Sequence, residues 1–265
     1  MPGIPERSLR GLFILALLLF PATLHAEDRM IADLFIRKGV EGCMVISSLD
    51  GSRNFIHHAE RARHRYPPAS TFKILNTLIA LEEGAIGGKA EVIRWDGRNY
   101  DIPDWNRDQT LESAFRVSCV WYFQELARRV GSDRYRDYVV RCGYGELNEP
   151  FDGSTFWLDG SLQISAMEQV RFLRRLCNRD LPFRASSFET LRELMVVGNA
   201  PGYVLRAKSG WFARSVPQVG WYVGYVERAG QVWLFAMNMD IRNQEELPMR
   251  QQLVLEALRA RGIID

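Results

Sequence analysis

The apolar positions keep one rhythm at both ends of the chain and another in the middle. Cys43-Met-Val-Ile-Ser-Ser48 and Arg53-Asn-Phe-Ile-His-His58 are short runs flanking Leu49-Asp-Gly-Ser52, and so predict two strands joined by a tight turn. Pro67-Pro68 interrupts the chain, and Ser70 to Glu83 then reads as a helix that Gly84 stops. Val120 to Val130 reads as a helix ending at Gly131, and Ser132 is placed to cap the next, which runs to Gly143. Ser165 with Glu168 matches a capping box before a helix reaching about Asn178, and Ser186 with Glu189 repeats that signal before Gly198. After Gly202 the rhythm returns to strands: Tyr203 to Lys208, Val219 to Glu227 and Val232 to Met239, with Arg228-Ala-Gly230 as a turn. Leu247 to Arg261 closes the chain as an amphipathic helix. Strands at both ends with helices between predict an α+β fold: an antiparallel sheet built from the two termini, flanking helices and an inserted helical lobe. The cleft between the lobes is the natural place for a site.

The first 26 residues have another logic. Arg7 and Arg10 precede the uncharged run Gly11 to Phe20, and small residues follow up to Ala26. That pattern predicts a secretory signal removed on export to the periplasm, although Leu24 replaces the usual Ala at the third-from-last position of the signal. The uncharged stretch from Gly11 to Ala26 is 16 residues, short of the ~20 that a membrane-spanning helix needs. No stable membrane association is therefore expected of residues 27–265, which read as one catalytic domain.

The composition, 47% hydrophobic and 25% charged over 265 residues, is that of a soluble globular protein. A net charge of +2 gives no reason to propose a nucleic-acid partner. Four cysteines (Cys43, Cys119, Cys142, Cys177) show no framework spacing and no C-x-x-C, so neither a particular disulfide nor a structural zinc is predicted. His57 and His58 are adjacent on a strand and point to opposite faces, an arrangement unsuited to a shared metal.

The candidate chemistry begins at Pro68-Ala-Ser-Thr-Phe-Lys-Ile74. Ser70 and Lys73 are three apart, so on a helix their side chains share a face. A serine hydroxyl needs a base to become a nucleophile, and a lysine can serve when burial disfavours its ammonium. Ser-x-x-Lys occurs by chance about once in a chain of this size, so the pair means little alone. Ser118-Cys-Val120, at the start of a helix, offers a hydroxyl that is equally a proton relay or an ordinary cap. Lys208-Ser-Gly210, at a strand end, offers a cation, a donor and close backbone approach, or simply a surface strand end. The order and spacing of all three together are hard to reach by accident.

Together these residues resemble the class D (oxacillinase-type) serine β-lactamases. The likeness is carried by Pro68-Ala-Ser-Thr-Phe-Lys-Ile74, Trp95-Asp-Gly97, Ser118-Cys-Val120 with Trp121-Tyr-Phe-Gln-Glu-Leu-Ala127, Phe156-Trp-Leu158 with Gly160-Ser-Leu162, Lys208-Ser-Gly210 and Pro217-Gln-Val-Gly-Trp221. It runs from about residue 43 to the C-terminus. Two departures stand out: the family's Tyr-Gly-Asn is Tyr144-Gly-Glu146 here, and Ser209 replaces Thr in the Lys-Thr-Gly triplet.

The resemblance implies a β-lactam amide hydrolase that confers resistance by way of an acyl-serine intermediate. It implies Ser70 as nucleophile and carbamylated Lys73 (N6-carboxylysine) as general base, with the Trp157 indole N–H steadying the carbamate. The backbone N–H groups of Ser70 and Trp211 would form the oxyanion hole, and Ser118 would pass a proton to the lactam nitrogen. Val120 would wall the carbamate pocket, while Lys208, Ser209, Gly210 and Arg250 would hold the substrate carboxylate. Read from the sequence alone, Arg250 is a solvated helix residue. No cofactor or metal is implied beyond the carbon dioxide or bicarbonate that carbamylates the lysine. The expected partner is a small-molecule β-lactam. Two rivals share the motifs: a sensor that stays acylated, and a transpeptidase or carboxypeptidase acting on cell-wall peptides. Against the first, the chain shows no long membrane protease region; against the second stand Trp157 and the class D signatures.

Overall fold

The computed structural model describes residues 26–265, so the predicted signal lies outside the described residues apart from Ala26. Helix α1 (Arg29–Lys38) leads into a hairpin, β1 (Gly42–Ser48) and β2 (Asn54–His57), then α2 (Ala59–Arg63) and the short β3 (Arg65–Tyr66). The helical lobe begins with a 3-10 turn over Ala69–Phe72 and α3 (Lys73–Glu82). It continues through β4 (Val92–Ile93), β5 (Gln109–Thr110), α4 (Leu111–Arg116), α5 (Val120–Val130) and α6 (Ser132–Cys142). After β6 (Glu146–Leu147), α7 (Phe156–Asp159) and β7 (Leu162–Ser165), helices α8 (Ala166–Cys177) and α9 (Ala185–Leu194) return the chain to the sheet. Strands β8 (Val196–Ala200), β9 (Tyr203–Phe212), β10 (Gln218–Arg228) and β11 (Gln231–Ile241) complete it, and α10 (Met249–Ala260) follows.

The main sheet has the order β2-β1-β11-β10-β9-β8 and is antiparallel throughout. Strand β1 pairs with β11 from Gly42↔Met239 to Ser48↔Trp233, so the two ends of the chain build one sheet, as the pattern predicts. Both faces are covered, which is why its strands are almost continuously apolar. Met44 and Ile46 point into a layer with Ile31, Phe35, Leu253 and Val254, supplied by α1 and α10. Cys43 and Val45 point the other way, into a larger core with Phe72, Leu75, Phe123, Phe172 and Trp221. That core joins sheet and helical lobe.

Four local expectations need correction. The predicted helix from Ser70 begins as a 3-10 turn, because the Pro67-Pro68 break leads straight into the first bonded turn, and becomes α-helical only at Lys73. Gly131, not Ser132, caps α6. The box at Ser186 and Glu189 is absent: α9 starts at Ala185 behind Arg184, and Ser187 Oγ turns to Glu82 Oε2 at 3.3 Å instead. The box at Ser165 and Glu168 is present, with both reciprocal bonds made. Ser118 is not the cap of α5; Cys119 is, and Ser118 lies one residue outside with φ +55°. Helix α1 and strand β8 carry no prediction above.

Candidate active site

Ser70 lies on a turn pinned from three directions. Trp221 Nε1 on β10 donates to Pro67 O at 3.0 Å, and Thr71 Oγ1 donates to Pro68 O at 2.8 Å. Gln169 Nε2 on α8 donates to Thr71 Oγ1 at 3.0 Å and to Tyr144 Oη at 3.3 Å. Ala69 is held at φ +48°, a strained conformation for a side-chain-bearing residue that persists only where surroundings over-determine it. Trp221, Gln169 and Tyr144 stand far from Ser70 in sequence, so no local pattern marks them as part of the site.

Lys73 is the unusual group. Its side chain is 0% exposed, and its Nζ lies 2.9 Å from Ser70 Oγ in hydrogen-bond contact. It stands over the Phe123 ring, 5.1 Å from the centroid, and forms no ion pair among the described residues. Burial without a counter-ion disfavours the ammonium and lowers the pKa from 10.5 to about 7. Much of the population is thus a free amine at neutral pH, able to accept the Ser70 proton.

Beside that turn, the Trp157 ring stacks on Phe72 with centroids 5.5 Å apart. Trp157 is 0% exposed and its Nε1 has no acceptor, the one fully buried indole N–H so placed among the described residues. A buried donor without a partner costs about 1–3 kcal/mol, so this group is poised for an acceptor.

Across from Ser70, Lys208 on β9 makes a short contact to Ser118 Oγ and donates to Ser209 O at 3.2 Å. Burial pushes its ammonium well below the ordinary value, and the nearby charges of Lys73 and Arg250 act in the same direction. Arg250 is not the solvated residue that sequence alone suggests. It crosses the sheet beside Gly220, where a Cβ would meet its Cδ at 2.8 Å, and donates to Leu247 O and Gly210 O, each at 2.6 Å. Burial lowers its pKa to about 10. Val120 is the first residue of α5 and half-buried; Ser209 and Trp211 flank Gly210 on β9, with the Trp211 indole donating to Gln218 Oε1 at 2.8 Å. The arrangement sets the Ser70 hydroxyl and the buried Lys73 amine on one side, and Lys208, Arg250 and the Ser118 hydroxyl on the other.

Comparison with known proteins follows the same line. The penicillin binding protein transpeptidase domain family matches residues 48–259. The chain is 39% identical over 226 residues to β-lactamase OXA-48 of Klebsiella pneumoniae, covering 84% of each. It is 38% identical to β-lactamase OXA-5 of Pseudomonas aeruginosa, covering 87% of each. This chain belongs to the class D β-lactamases. Solved structures agree: the class D enzyme YbXI from Nostoc superposes with a TM-score of 0.85 at 38% identity, covering 88% of this chain and 98% of that one. FUS-1 (OXA-85) from Fusobacterium nucleatum gives 0.87 at 33%, covering 91% and 100%.

The structure also explains this class D chain's departure at Glu146. Its carboxylate makes an ion pair with Arg65, which also binds Glu168 of the α8 capping box at 2.7 Å. Because β7 lies between β3 and β6, this guanidinium clamps the outer strands of the small sheet. The four cysteines are all free. His57 pairs with Glu27, and His58 Nδ1 lies 3.3 Å from Gly42 O.

Proposed function

We propose that this class D enzyme hydrolyses β-lactams by way of an ester on Ser70, with Lys73 as the base of both half-reactions. The observation that carries the reading is the wholly buried Lys73 amine, unpaired by any carboxylate and 2.9 Å from the Ser70 hydroxyl. In acylation, Ser70 Oγ attacks the lactam carbonyl and its proton passes to the Lys73 side chain. Negative charge develops on the carbonyl oxygen, for which the backbone N–H groups of Ser70 and Trp211 are the donors. The C–N bond breaks and the ring nitrogen takes a proton from Ser118, which Lys208 can resupply through their short contact. Before deacylation Lys73 gives up the acylation proton by way of solvent, which restores the one Lys208 lost. Water then attacks the ester, Lys73 takes its proton, and that proton passes to Ser70 Oγ as the ester C–O bond breaks and the ring-opened acid leaves. Lys208, Ser209, Gly210 and Arg250 hold the substrate carboxylate, and Val120 walls the base.

The pocket fits a carbamylated Lys73. Carbon dioxide adds to a neutral amine, burial supplies one at neutral pH, and the unpartnered Trp157 N–H is a donor for the product. The modification would give the site an anionic oxygen base in place of an amine.

Export belongs to the same proposal: residues 1–26 act as a removed signal and the enzyme works in the periplasm, where its action protects the cell from β-lactams. No helix among the described residues is long and apolar enough to cross a membrane. The test is mass spectrometry of the protein during benzylpenicillin turnover. A penicilloyl adduct on Ser70 that appears and then clears supports the hydrolase, whereas a permanent adduct overturns it in favour of a sensor.

A further inference from the structure

In the proposed reaction the oxyanion hole takes one N–H from Ser70 and one from Trp211. The two belong to different elements, the turn Ala69–Phe72 and strand β9, so neither element alone fixes their separation. Thr71, next to Ser70 and wholly buried, connects them. A Cβ on Gly210 would meet its methyl group and its backbone nitrogen, so β9 packs directly against this residue. Its hydroxyl turns instead to α8, accepting from Gln169 Nε2 at 3.0 Å while it donates to Pro68 O at 2.8 Å. Thr71 N donates to the same carbonyl at 3.1 Å, which closes the turn around Ala69 and Ser70. Gln169 is wholly buried, and its Nε2 also donates to Tyr144 Oη at 3.3 Å. Tyr144 in turn packs edge-on against Phe72, the last residue of the turn, with ring centroids 5.6 Å apart. One amide thus holds the turn at Thr71 directly and at Phe72 through Tyr144.

The oxygen of that amide, Gln169 Oε1, is buried with no donor. An unmet acceptor inside a protein is destabilising, so stability alone is a poor reason for a glutamine here. We infer that Gln169 is a positioning residue for the oxyanion hole: by holding Thr71 against Gly210, it sets the distance between the Ser70 and Trp211 N–H groups. The inference rests on the proposed serine mechanism and adds to it a residue that touches neither the substrate nor the reacting atoms. Lys208 and Arg250 are carried by β9 and α10 rather than by the turn. A loosened turn therefore weakens stabilisation of the transition state and leaves binding of the substrate carboxylate alone.

The test compares two ligands on the unaltered enzyme and on Gln169→Met, which is of similar size but has no N–H donors. Phenylboronic acid reports on the oxyanion hole. Its trigonal boron takes an electron pair from Ser70 Oγ while the hydroxyl proton passes to Lys73, leaving a tetrahedral anion with a boron-bound hydroxyl in the place of the oxyanion. Benzylpenicillin in stopped flow gives the dissociation constant of the first complex separately from the acylation rate constant. Gln169→Met should bind the boronic acid at least about tenfold more weakly and acylate at least about tenfold more slowly. Its penicillin dissociation constant should stay within about twofold of the parent's. Thr71→Val should lose at least as much, and adding Gln169→Met to it should cost less than about twofold more, because the amide acts through Thr71. Gln169→Leu repeats the comparison where the methionine variant does not fold. The assignment is overturned by a boronic acid constant that ignores loss of the amide, by equal weakening of both ligands, or by additive losses in the double variant. No binding of the boronic acid to the unaltered enzyme overturns it as well. Benzylpenicillin turnover by the unaltered enzyme reports on the hydrolase alone. Turnover with an unmoved boronic acid constant removes only the positioning role, and the expected boronic acid losses without turnover remove only the hydrolase.

Discussion

Gly210 lies so close to Pro68 that a Cβ built on it would stand 2.8 Å from the proline carbonyl oxygen and 3.0 Å from Thr71 Cγ2. The glycine lets strand β9 press its backbone against the turn that carries Ser70, and so sets the distance between nucleophile and strand. Gly210→Ala must push one from the other. Overpacking of this kind costs about 1–3 kcal/mol, and displacement of a reacting group by about 1 Å costs on the order of a hundredfold in rate. A drop in melting temperature together with a large fall in kcat/KM for benzylpenicillin is the expected result. An alanine variant with the parent's rate would show that the contact does not set the geometry.

Lys73 makes stability depend on pH. Its folded pKa, about 7, lies below the ordinary 10.5. Between those values the unfolded chain binds a proton that the folded protein does not, so stability rises with pH across that window. Below the folded value both states are protonated and the burial penalty is present in full. Urea unfolding in buffer free of carbon dioxide should therefore show greater stability at pH 10 than at pH 7. Lys73→Met should reduce that slope and gain a few kcal/mol at neutral pH, leaving the part that the similarly buried Lys208 contributes. A slope unchanged by the substitution assigns it to other groups.

The proposed role of the same amine as base makes turnover depend on pH as well. Activity should fall in acid as Nζ is protonated, and bicarbonate added after return to neutral pH should restore it faster than buffer alone. Lys73→Ala should acylate slowly at best and then remain acylated, visible as a stable mass increase on Ser70. Indifference of the acid-treated enzyme to bicarbonate would count against carbamylation while leaving the amine as base.

Trp157→Phe keeps a ring against Phe72 but removes the unpartnered N–H. If that N–H holds the carbamate, the variant should need at least tenfold more bicarbonate for half-maximal activity while its melting temperature holds or rises. A bicarbonate requirement equal to the parent's would mean that the indole acts through packing alone.

Glu146→Asn restores the side chain that the family commonly carries. Since the Arg65 pair is well exposed, its loss should change stability by no more than about 1 kcal/mol. Turnover should stay within about twofold of the parent, because Arg65 keeps Glu168. A tenfold change in kcat would show that the clamp reaches the Ser70 turn.

The β1–β2 hairpin and strands β9, β10 and β11 were legible because they are rich in Val, aromatic and other apolar residues, whereas the edge strand β8, mostly exposed, was not. The Ser70–Lys73 pair was legible from spacing, since residues three apart meet whether the turn is 3-10 or α-helical. The burial of Arg250 was not. Its neighbours on α10 read as a surface helix, and only the absence of a side chain at Gly220, on another element, opens the channel it occupies. Nor did any local pattern reveal that Trp221 and Gln169 brace the nucleophile's turn, because each reaches it through tertiary packing. Caps failed in the same way at Ser186, where a glutamate on α3 attracts the neighbouring Ser187 hydroxyl.

The pairing of β1 with β11 also dictates when the protein can become itself. Gly42 waits for Met239, so the first strand made has only β2 beside it, and its other edge stays open until nearly all the rest has been synthesised. Contacts so distant along the chain make for slow folding and leave an apolar edge open to neighbouring chains meanwhile. Loss of β11 would split the sheet between β1 and β10, so truncation ahead of that strand should be as damaging as truncation in the middle of the chain.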